Sequence, residues 1–177
     1  MSIREFETIT PDIAPSAYID ERALVIGDVT IGADVSLWPM VVARGDVNRI
    51  EIGARTNIQD GSILHVSHDS EFAPGGFALR IGADITVGHQ CILHGCTVED
   101  RCLVGMAATV MDGAILRSGV LLGAGSLVPP GQELEGGFLW MGSPARRVRP
   151  LRDTERAFLD YSARHYVELK NRHLAAR

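Results

Sequence analysis

Aromatic residues, cysteines and clustered basic residues are all scarce in this chain. Phe, Trp and Tyr make up only 6% of the sequence, although 46% of it is hydrophobic. A core built mostly of Val, Ile, Leu and Ala favours stacked uniform coils over a globule organised around a few large aromatic side chains. The formal net charge is −5 and no block of basic residues occurs, so the sequence predicts neither nucleic-acid binding nor binding to an anionic membrane.

Long apolar segments are also missing. No run approaches the roughly 18 apolar residues of a membrane-spanning helix, and the N-terminal segment lacks the apolar stretch of a secretion signal. These absences predict a soluble, cytoplasmic protein. The three cysteines, Cys91, Cys96 and Cys102, have neither CxxC spacing nor the even number of a disulfide framework. We expect them to be reduced, buried thiols.

What the sequence does contain is a period of six. The longest unbroken aliphatic series is Ile92, Val98, Val104, Val110, Leu116, Leu122 and Val128, and glycine or an acidic residue often follows a member of such a series. Neither a helix nor an ordinary strand has this period. Six residues form a short extended face and a tight corner, and three faces complete a coil of about 18 residues. The pattern therefore predicts an all-β solenoid.

The period also divides the chain and marks its irregular points. We assign the solenoid to residues 1–150 and a C-terminal α-helix that packs on it to residues 151–177. Residues at about 66–80 read as a loop extruded from a corner. The distance from Val87 to Val98 is 11 residues instead of 12, so the register slips by one residue there.

The C-terminal helix has its own sequence signals. Asp153 or Thr154 would cap its N-terminus, and it would run to about Ala175. The apolar stripe predicted to face the solenoid consists of Phe158, Tyr161 or Ser162, His165 and Leu169.

Three histidines lie beside the interruptions. The triplet Ile63-Leu64-His65 recurs 29 residues later as Ile92-Leu93-His94, and His89 precedes the second copy. A shift of 29 residues corresponds to one coil plus the loop, so His65 and His94 should stack on one face at the ~4.8 Å spacing of neighbouring strands, close enough to share an ion. His89 lies around a corner and would reach that ion from a neighbouring subunit.

This spacing predicts a cyclic homotrimer with metal sites at its interfaces. Three imidazoles without a thiolate favour zinc, with iron and cobalt as alternatives. Three protein ligands leave an open position, which is typical of a catalytic site. The alternative for each histidine is a structural hydrogen bond to its neighbours.

Several motifs together resemble those of the gamma-class carbonic anhydrase family: Arg44-Gly45-Asp46, Asn57-Ile58-Gln59-Asp60, Gly88-His89 and Leu93-His94-Gly95-Cys96-Thr97. The resemblance implies a left-handed parallel β-helix of hexapeptide repeats. It implies zinc held by His65 and His94 of one subunit and by His89 of the next. The activity that it implies is the reversible hydration of CO2 to bicarbonate by a metal-bound hydroxide.

The resemblance also suggests roles for other residues. Arg44 and Asp46 match a pair that bridges subunits near the site, Gln59 matches a residue that hydrogen-bonds the metal-bound water, and Asp60 would support the ligands. The fully active archetype has a longer acidic loop with a glutamate proton shuttle. The shorter loop here offers His68 as the best candidate for a proton shuttle; the alternative is that His68 is an ordinary surface residue of the loop. Weak hydration activity is a further alternative.

Three other functions stay open. The same zinc site could hydrolyse another carbonyl compound such as a thioester. A hexapeptide acyltransferase would use an acyl-CoA donor, but that class relies on one histidine base and needs no trio of histidines. The last alternative is a metal-binding protein without catalytic activity.

Overall fold

A computed structural model describes residues 3–176 as a left-handed parallel β-helix of about 8 turns followed by an α-helix, which confirms the predicted fold class. The elements in chain order are β1 Ile3–Arg4, β2 Asp12–Ile13, β3 Tyr18–Ile19, β4 Leu24–Ile31, β5 Ser36–Leu37, β6 Val42–Ile52, β7 Asn57–Ile58, β8 Ile63–His65, β9 Leu79–Ile81, β10 Thr86–Val87, β11 Ile92–His94, β12 Thr97–Val98, β13 Leu103–Val104, β14 Thr109–Val110, β15 Ile115–Leu116, β16 Leu121–Leu122, β17 Leu127–Val128, β18 Glu133–Leu134, β19 Phe138–Met141, β20 Arg146–Pro150 and α1 Asp153–Ala175.

The strands line three faces of a prism, which we number in the order in which the chain follows them from β3 onward. Face 1 consists of β3, β5, β7, β10, β13, β16 and β19, and the antiparallel strand β20 follows β19 at its end. Face 2 consists of β1, the first parts of β4 and β6, and then β8, β11, β14 and β17. Face 3 consists of β2, the last parts of β4 and β6, and then β9, β12, β15 and β18.

The six-residue period forms the core because every sixth side chain points into the prism. Val104, Val110 and Leu122 are completely buried. The prediction was wrong for Ile92, which is 42% exposed, because the one-residue slip in that coil places Leu93 in the core instead.

Between faces the chain turns so tightly that non-glycine residues such as Asp34 and Asp84 adopt φ angles near +59°. Short polar side chains tolerate this left-handed conformation better than branched ones, which explains the polar residues at the corners.

One corner departs from this regularity in three successive coils. We call it the 2–3 corner, since it joins faces 2 and 3. In the first coil, Gly27 and Val29 lie opposite Gly45 and Ile50, so the later coil bulges outward. In the second coil, residues 66–78 leave the prism between β8 and β9.

The third coil is short at the same corner. Leu93 pairs with Val110 and Val98 with Leu116, so the chain between the two core positions is one residue shorter in this coil than in the next. The structure thus confirms the predicted slip and places it immediately after His94.

Helix α1 packs along face 1 of its own subunit, where it contacts β3, β5, β7 and β10. It begins with a capping box in which Arg152 is the N-cap and Glu155 accepts the backbone N–H of Arg152, so the prediction of Asp153 or Thr154 as the cap was wrong. No helix within residues 3–176 has the length and apolar character needed to cross a membrane.

The predicted stripe on this helix was mostly wrong. Phe158, Tyr161 and His165 are exposed, and the buried side chains are Leu159, Ser162, Ala163 and Lys170. The surface that the helix meets includes polar side chains as well as apolar ones. Ser162 hydrogen-bonds Thr86 of face 1 at 2.8 Å, and Lys170 pairs with Asp34 at 2.8 Å. Small residues and specific polar partners therefore help to decide which side of the helix packs, together with the buried Leu159.

Candidate metal centre

His65 and His94 lie one above the other at the 2–3 corner. They are the last residues of β8 and β11, and the parallel register pairs them directly, as their spacing of 29 residues predicted. Their rings have centroids 5.0 Å apart, and Nδ1 of His65 lies 3.0 Å from Nε2 of His94. The repeat therefore brings two imidazole nitrogens together.

Each of these rings has a carboxylate at its other nitrogen. Nε2 of His65 lies 3.1 Å from Oδ1 of Asp46, and Nδ1 of His94 lies 2.5 Å from Oδ1 of Asp112. An ionised carboxylate can only accept a hydrogen bond, so each histidine donates from the nitrogen that faces its aspartate. Histidines that ligate metals almost always have such a partner on the far nitrogen.

The tautomers set by the carboxylates leave two lone pairs facing each other across 3.0 Å. Two neutral imidazoles in this arrangement repel unless a proton or a cation lies between them. At a Zn–N distance of about 2.0–2.1 Å, tetrahedral geometry separates two ligand nitrogens by roughly 3.3 Å. The pair thus fits a zinc ion in donor type, tautomer and spacing.

The electrostatics at the corner also suit a cation. Burial disfavours the charged form of Asp46, but hydrogen bonds from Arg44 and His65 outweigh it and hold the pKa of that carboxyl below its usual value. Burial lowers the pKa of the His65 imidazole, and the positive charge of Arg44 adds to this effect while the hydrogen bond to Asp46 opposes it. At neutral pH the site therefore contains an anionic Asp46 and a neutral His65.

His89 lies at the other end of face 2, in the turn between β10 and β11. Its Nδ1 is 2.9 Å from Oδ2 of Asp60, and its side chain is 48% exposed. The pattern of a histidine backed by an aspartate thus occurs a third time, and it leaves Nε2 as the nitrogen with a lone pair. Within residues 3–176 of one subunit, no three His, Cys, Asp or Glu side chains come together in a metal-binding arrangement.

Further contacts fix the two aspartates behind His65 and His94. Asp46 accepts a hydrogen bond from Nη1 of Arg44 at 2.5 Å, and Asp112 accepts one from Oγ of Ser67 at 3.0 Å. Sequence reasoning missed Asp112, because an aspartate at a corner is an ordinary feature of this fold. Its position one coil of 18 residues after His94 was the signal that could have identified it.

The two remaining predicted residues occupy different surroundings. Gln59 is buried on the face 1 side, where its Nε2 donates to Oδ1 of Asn57 at 3.1 Å, and it lies in the wall of a pocket that also includes His89. His68 is exposed on the loop of residues 66–78. The hydrogen bond that ties this loop to the site runs through Ser67 instead.

The pocket that contains Gln59 and His89 lies between face 1 and α1 and has a volume of about 310 Å³. Its wall is predominantly apolar. The other residues that line it are Thr86, Gly88, Leu103, Val104, Gly105, Met106, Ala124, Phe158, Ser162 and Tyr166. We call it the helix pocket.

The cysteines take no part in the histidine site. Cys91, Cys96 and Cys102 are free and buried, which confirms the prediction. Burial raises the pKa of the Cys91 thiol to about 11 and the pKa values of the other two to about 12. Such thiols stay protonated at neutral pH and are poor metal ligands and nucleophiles.

No family model matches the chain, but individual relatives match along nearly all of it. The protein YrdA of Escherichia coli K12 is 52% identical over 97% of this chain and 94% of its own length. The mitochondrial gamma carbonic anhydrase 1 of Arabidopsis thaliana is 42% identical over 93% of this chain, which spans 60% of that plant protein.

Solved structures agree with this relationship. The crystal structure of a hexapeptide transferase family protein from Anaplasma phagocytophilum is 38% identical, covers 96% of both chains and superposes with a TM-score of 0.87. Proteins described as a carbonic anhydrase and as a transferase are thus both similar to this chain. The repeat, the left-handed β-helix and these relatives show that the chain belongs to the hexapeptide-repeat family of proteins.

Proposed function

We propose that this protein is a cytoplasmic, zinc-dependent carbonic anhydrase of the gamma class that hydrates CO2 reversibly at the interfaces of a homotrimer. The observation that carries the proposal is the pair of imidazole lone pairs, from His65 and His94, that face each other across 3.0 Å with a carboxylate behind each ring. Similarity to the plant gamma carbonic anhydrase supports it.

Exposed aliphatic side chains on face 2 support the trimer. They lie between the corner that carries His65 and His94 and the corner that carries His89. Ile63 and Ile92 begin the two strands of face 2 that end at His65 and His94, and they are 45% and 42% exposed. Aliphatic side chains exposed next to each other on a sheet face favour burial against another protein surface. Packing of this face against a neighbour would bring His89 of that neighbour to His65 and His94, as closed threefold symmetry requires.

Within the assembled site, each aspartate keeps a proton on the far nitrogen of its histidine and so keeps a lone pair on the near one. Asp46 serves His65, Asp60 serves His89 and Asp112 serves His94. A zinc ion bound there would retain an open coordination position and lower the pKa of a water ligand to about 7.

Other residues of the chain handle the substrate and the proton. Arg44 neutralises part of the charge of Asp46 and keeps that carboxylate ionised. Gln59, whose amide is fixed by Asn57, would orient a water molecule or the substrate beside His89. His68, exposed on the loop after β8, would pass the released proton to solvent through its imidazole.

The test compares zinc-loaded, iron-loaded and chelator-treated protein in stopped-flow CO2 hydration and, in parallel, with a panel of acyl thioesters. We expect about one zinc per chain and a hydration rate that depends on the metal. His65→Ala is the inactive reference, and His165→Ala, which changes an exposed histidine of α1, is the matched control that should behave like the wild type. Equal hydration with and without zinc would refute the proposal, and thioester cleavage without hydration would replace it by a hydrolase.

A further inference from the structure

The extruded loop presents a phenylalanine to solvent at its tip. Phe72 is 90% exposed, more than any other large hydrophobic residue among those that the structure describes. It lies in a turn closed by mutual backbone hydrogen bonds between Ser70 and Ala73, at 3.2 and 3.1 Å, and braced by Asp69, whose Oδ1 accepts from the backbone N–H of Gly75 at 2.7 Å. The chain therefore holds this ring outward on an ordered turn.

The base of the loop is anchored along the 2–3 corner. Ser67 donates to Asp112, and Ser67 and Phe77 form a two-way backbone bridge with both bonds at 3.0 Å. The side chain of Phe77 packs over Gly95 and Gly113, where added Cβ atoms would meet it. The loop thus covers the coils that contain β11 and β14.

The helix pocket lies on the same coils but at the opposite edge of face 2. Gly88 and His89 line it from the coil of β11, and Gly105 and Met106 line it from the coil of β14. Phe158 of α1 forms its lip and is half exposed. An apolar pocket of about 310 Å³ has room for an aromatic side chain.

A shared histidine site would bring these two features together. His89 and His94 are five residues apart in one coil, so their meeting across an interface requires neighbouring prisms to stand in parallel with their coils at the same height. At that height, the loop after His65 of one subunit faces the helix pocket beside His89 of the next.

We propose that Phe72 of each subunit inserts its ring into the helix pocket of the neighbouring subunit and closes the shared site against solvent. This inference rests on the trimer of the proposed function. Phe72 then acts as an interface anchor of the kind that dominates binding, a rigid aromatic side chain in an apolar pocket. The loop is a clamp between subunits as well as a carrier of His68.

Cross-linking with a short bis-maleimide tests the contact. The variants are Phe72→Cys combined with Met106→Cys or with Ala124→Cys, two exposed positions in the pocket wall. The control combines Phe72→Cys with Ser118→Cys, which is exposed in the coil of β14 and β15 on a different corner. The natural cysteines are buried and contribute no background.

We expect covalent dimers and trimers on denaturing gels from both pocket variants, and none from the control or from the single variants. A trimer that carries zinc but forms no cross-link in either pocket variant would overturn the contact and leave the proposed function intact. A protein that is monomeric and binds no zinc would overturn both.

A second measurement tests the energetic role. Phe72→Ala should keep the zinc content but raise the dissociation constant of the trimer about tenfold or more, and Phe72→Leu should restore part of the affinity. Phe158→Ala should weaken the trimer similarly, and the double variant should be little worse than either single one. Glu71→Ala is the control within the same turn. Additive losses, or a Phe72→Ala trimer as tight as the wild type, would contradict the proposal.

Discussion

Two regions of the β-helix follow the same six-residue period with different strictness. One is the 2–3 corner in the coils of β6, β8 and β11, and the other consists of the coils from β13 to β18. The later coils keep the register without a break and carry aliphatic residues inside and turn residues outside. The 2–3 corner gains residues in one coil, extrudes a loop in the next and loses one residue in the third.

This contrast shows how a rigid repeat accommodates the histidine site. The regular coils supply buried area and fix the spacing of neighbouring coils, whereas the irregular corner aims side chains that the repeat would send elsewhere. The bulge of β6 brings Asp46 to His65, and the shortened turn at Gly95 leaves space for Asp112 beside His94. Stability and function should therefore respond to different substitutions.

The largest effect on stability is expected in the regular coils. Leu122→Ala removes a completely buried side chain of face 1 and should lower the free energy of unfolding by about 2–5 kcal/mol. The neighbouring Leu121→Ala, at a half-buried position that points outward, should cost much less. Denaturant titration measures both, and the zinc content of the folded fraction should not change. Loss of zinc from folded Leu122→Ala protein would show that the two regions are not separable.

At the irregular corner we expect the opposite response. Asp112→Asn replaces a charged acceptor of the His94 hydrogen bond by a neutral amide, which typically lowers metal affinity 10–100-fold. Thermal unfolding of the metal-free protein should shift little, because Asp112 is only partly buried. Competition with a zinc chelator gives the affinity. Asp100→Asn, at a corner of face 3 away from the histidines, is the matched control and should bind zinc like the wild type.

A smaller effect is expected from substitution of two glycines, and comparing the two separates the cost of backbone strain from the effect on the geometry of the histidine site. Gly95 and Gly125 both have positive φ, at +52° and +66°. A Cβ at Gly95 would overlap the carboxylate of Asp112 and the side chain of Phe77, whereas nothing lies within 4 Å of one at Gly125. The left-handed backbone alone should cost alanine about 1 kcal/mol of stability at either position, and the overlap should add to that cost at Gly95.

Only Gly95→Ala should also weaken zinc binding, by several-fold, since it displaces Asp112 from His94. The same chelator competition checks this pair. Equal zinc affinity of the two alanine variants would show that the shortened turn does not position the aspartate.

The smallest expected effect concerns the three buried cysteines, whose thiols should not react in the folded protein. Burial raises the pKa values of the three thiols to about 11 or 12, so their thiolates should form only above the ordinary pKa range of a cysteine. The folded protein should leave all three thiols unmodified by a disulfide reagent at pH 8, and the unfolded protein should react at all three. Rapid labelling of one thiol in the folded state would show that the core of these coils opens locally.

The sequence predicted the fold and the stacking of His65 on His94 because both follow from counting residues. A period of six defines the coil, and positions separated by whole coils must pair, apart from the residues that the loop adds. The slip between Val87 and Val98 was visible for the same reason. Arithmetic along the chain is reliable when the structure is itself a repeat.

Features that depend on which surfaces meet were not predictable in this way. The buried side of α1 makes polar contacts, from Ser162 to Thr86 and from Lys170 to Asp34. The pattern of hydrophobic residues along the helix does not predict these contacts. Asp112 resembles the aspartates of ordinary corners, such as Asp84, and only its height in the coil stack distinguishes it. In both cases the information lies in three-dimensional neighbours.

Each proposed metal site takes His65 and His94 from one subunit and His89 from the next. Co-expression of His89→Ala with His94→Ala subunits tests this sharing directly, with zinc measured in purified trimers. Each variant alone should bind no zinc, whereas random mixing in equal amounts should restore about a quarter of the sites, because some interfaces then contain all three histidines. Mixed trimers without zinc, or full zinc occupancy of His89→Ala alone, would show that the sites are not shared between subunits.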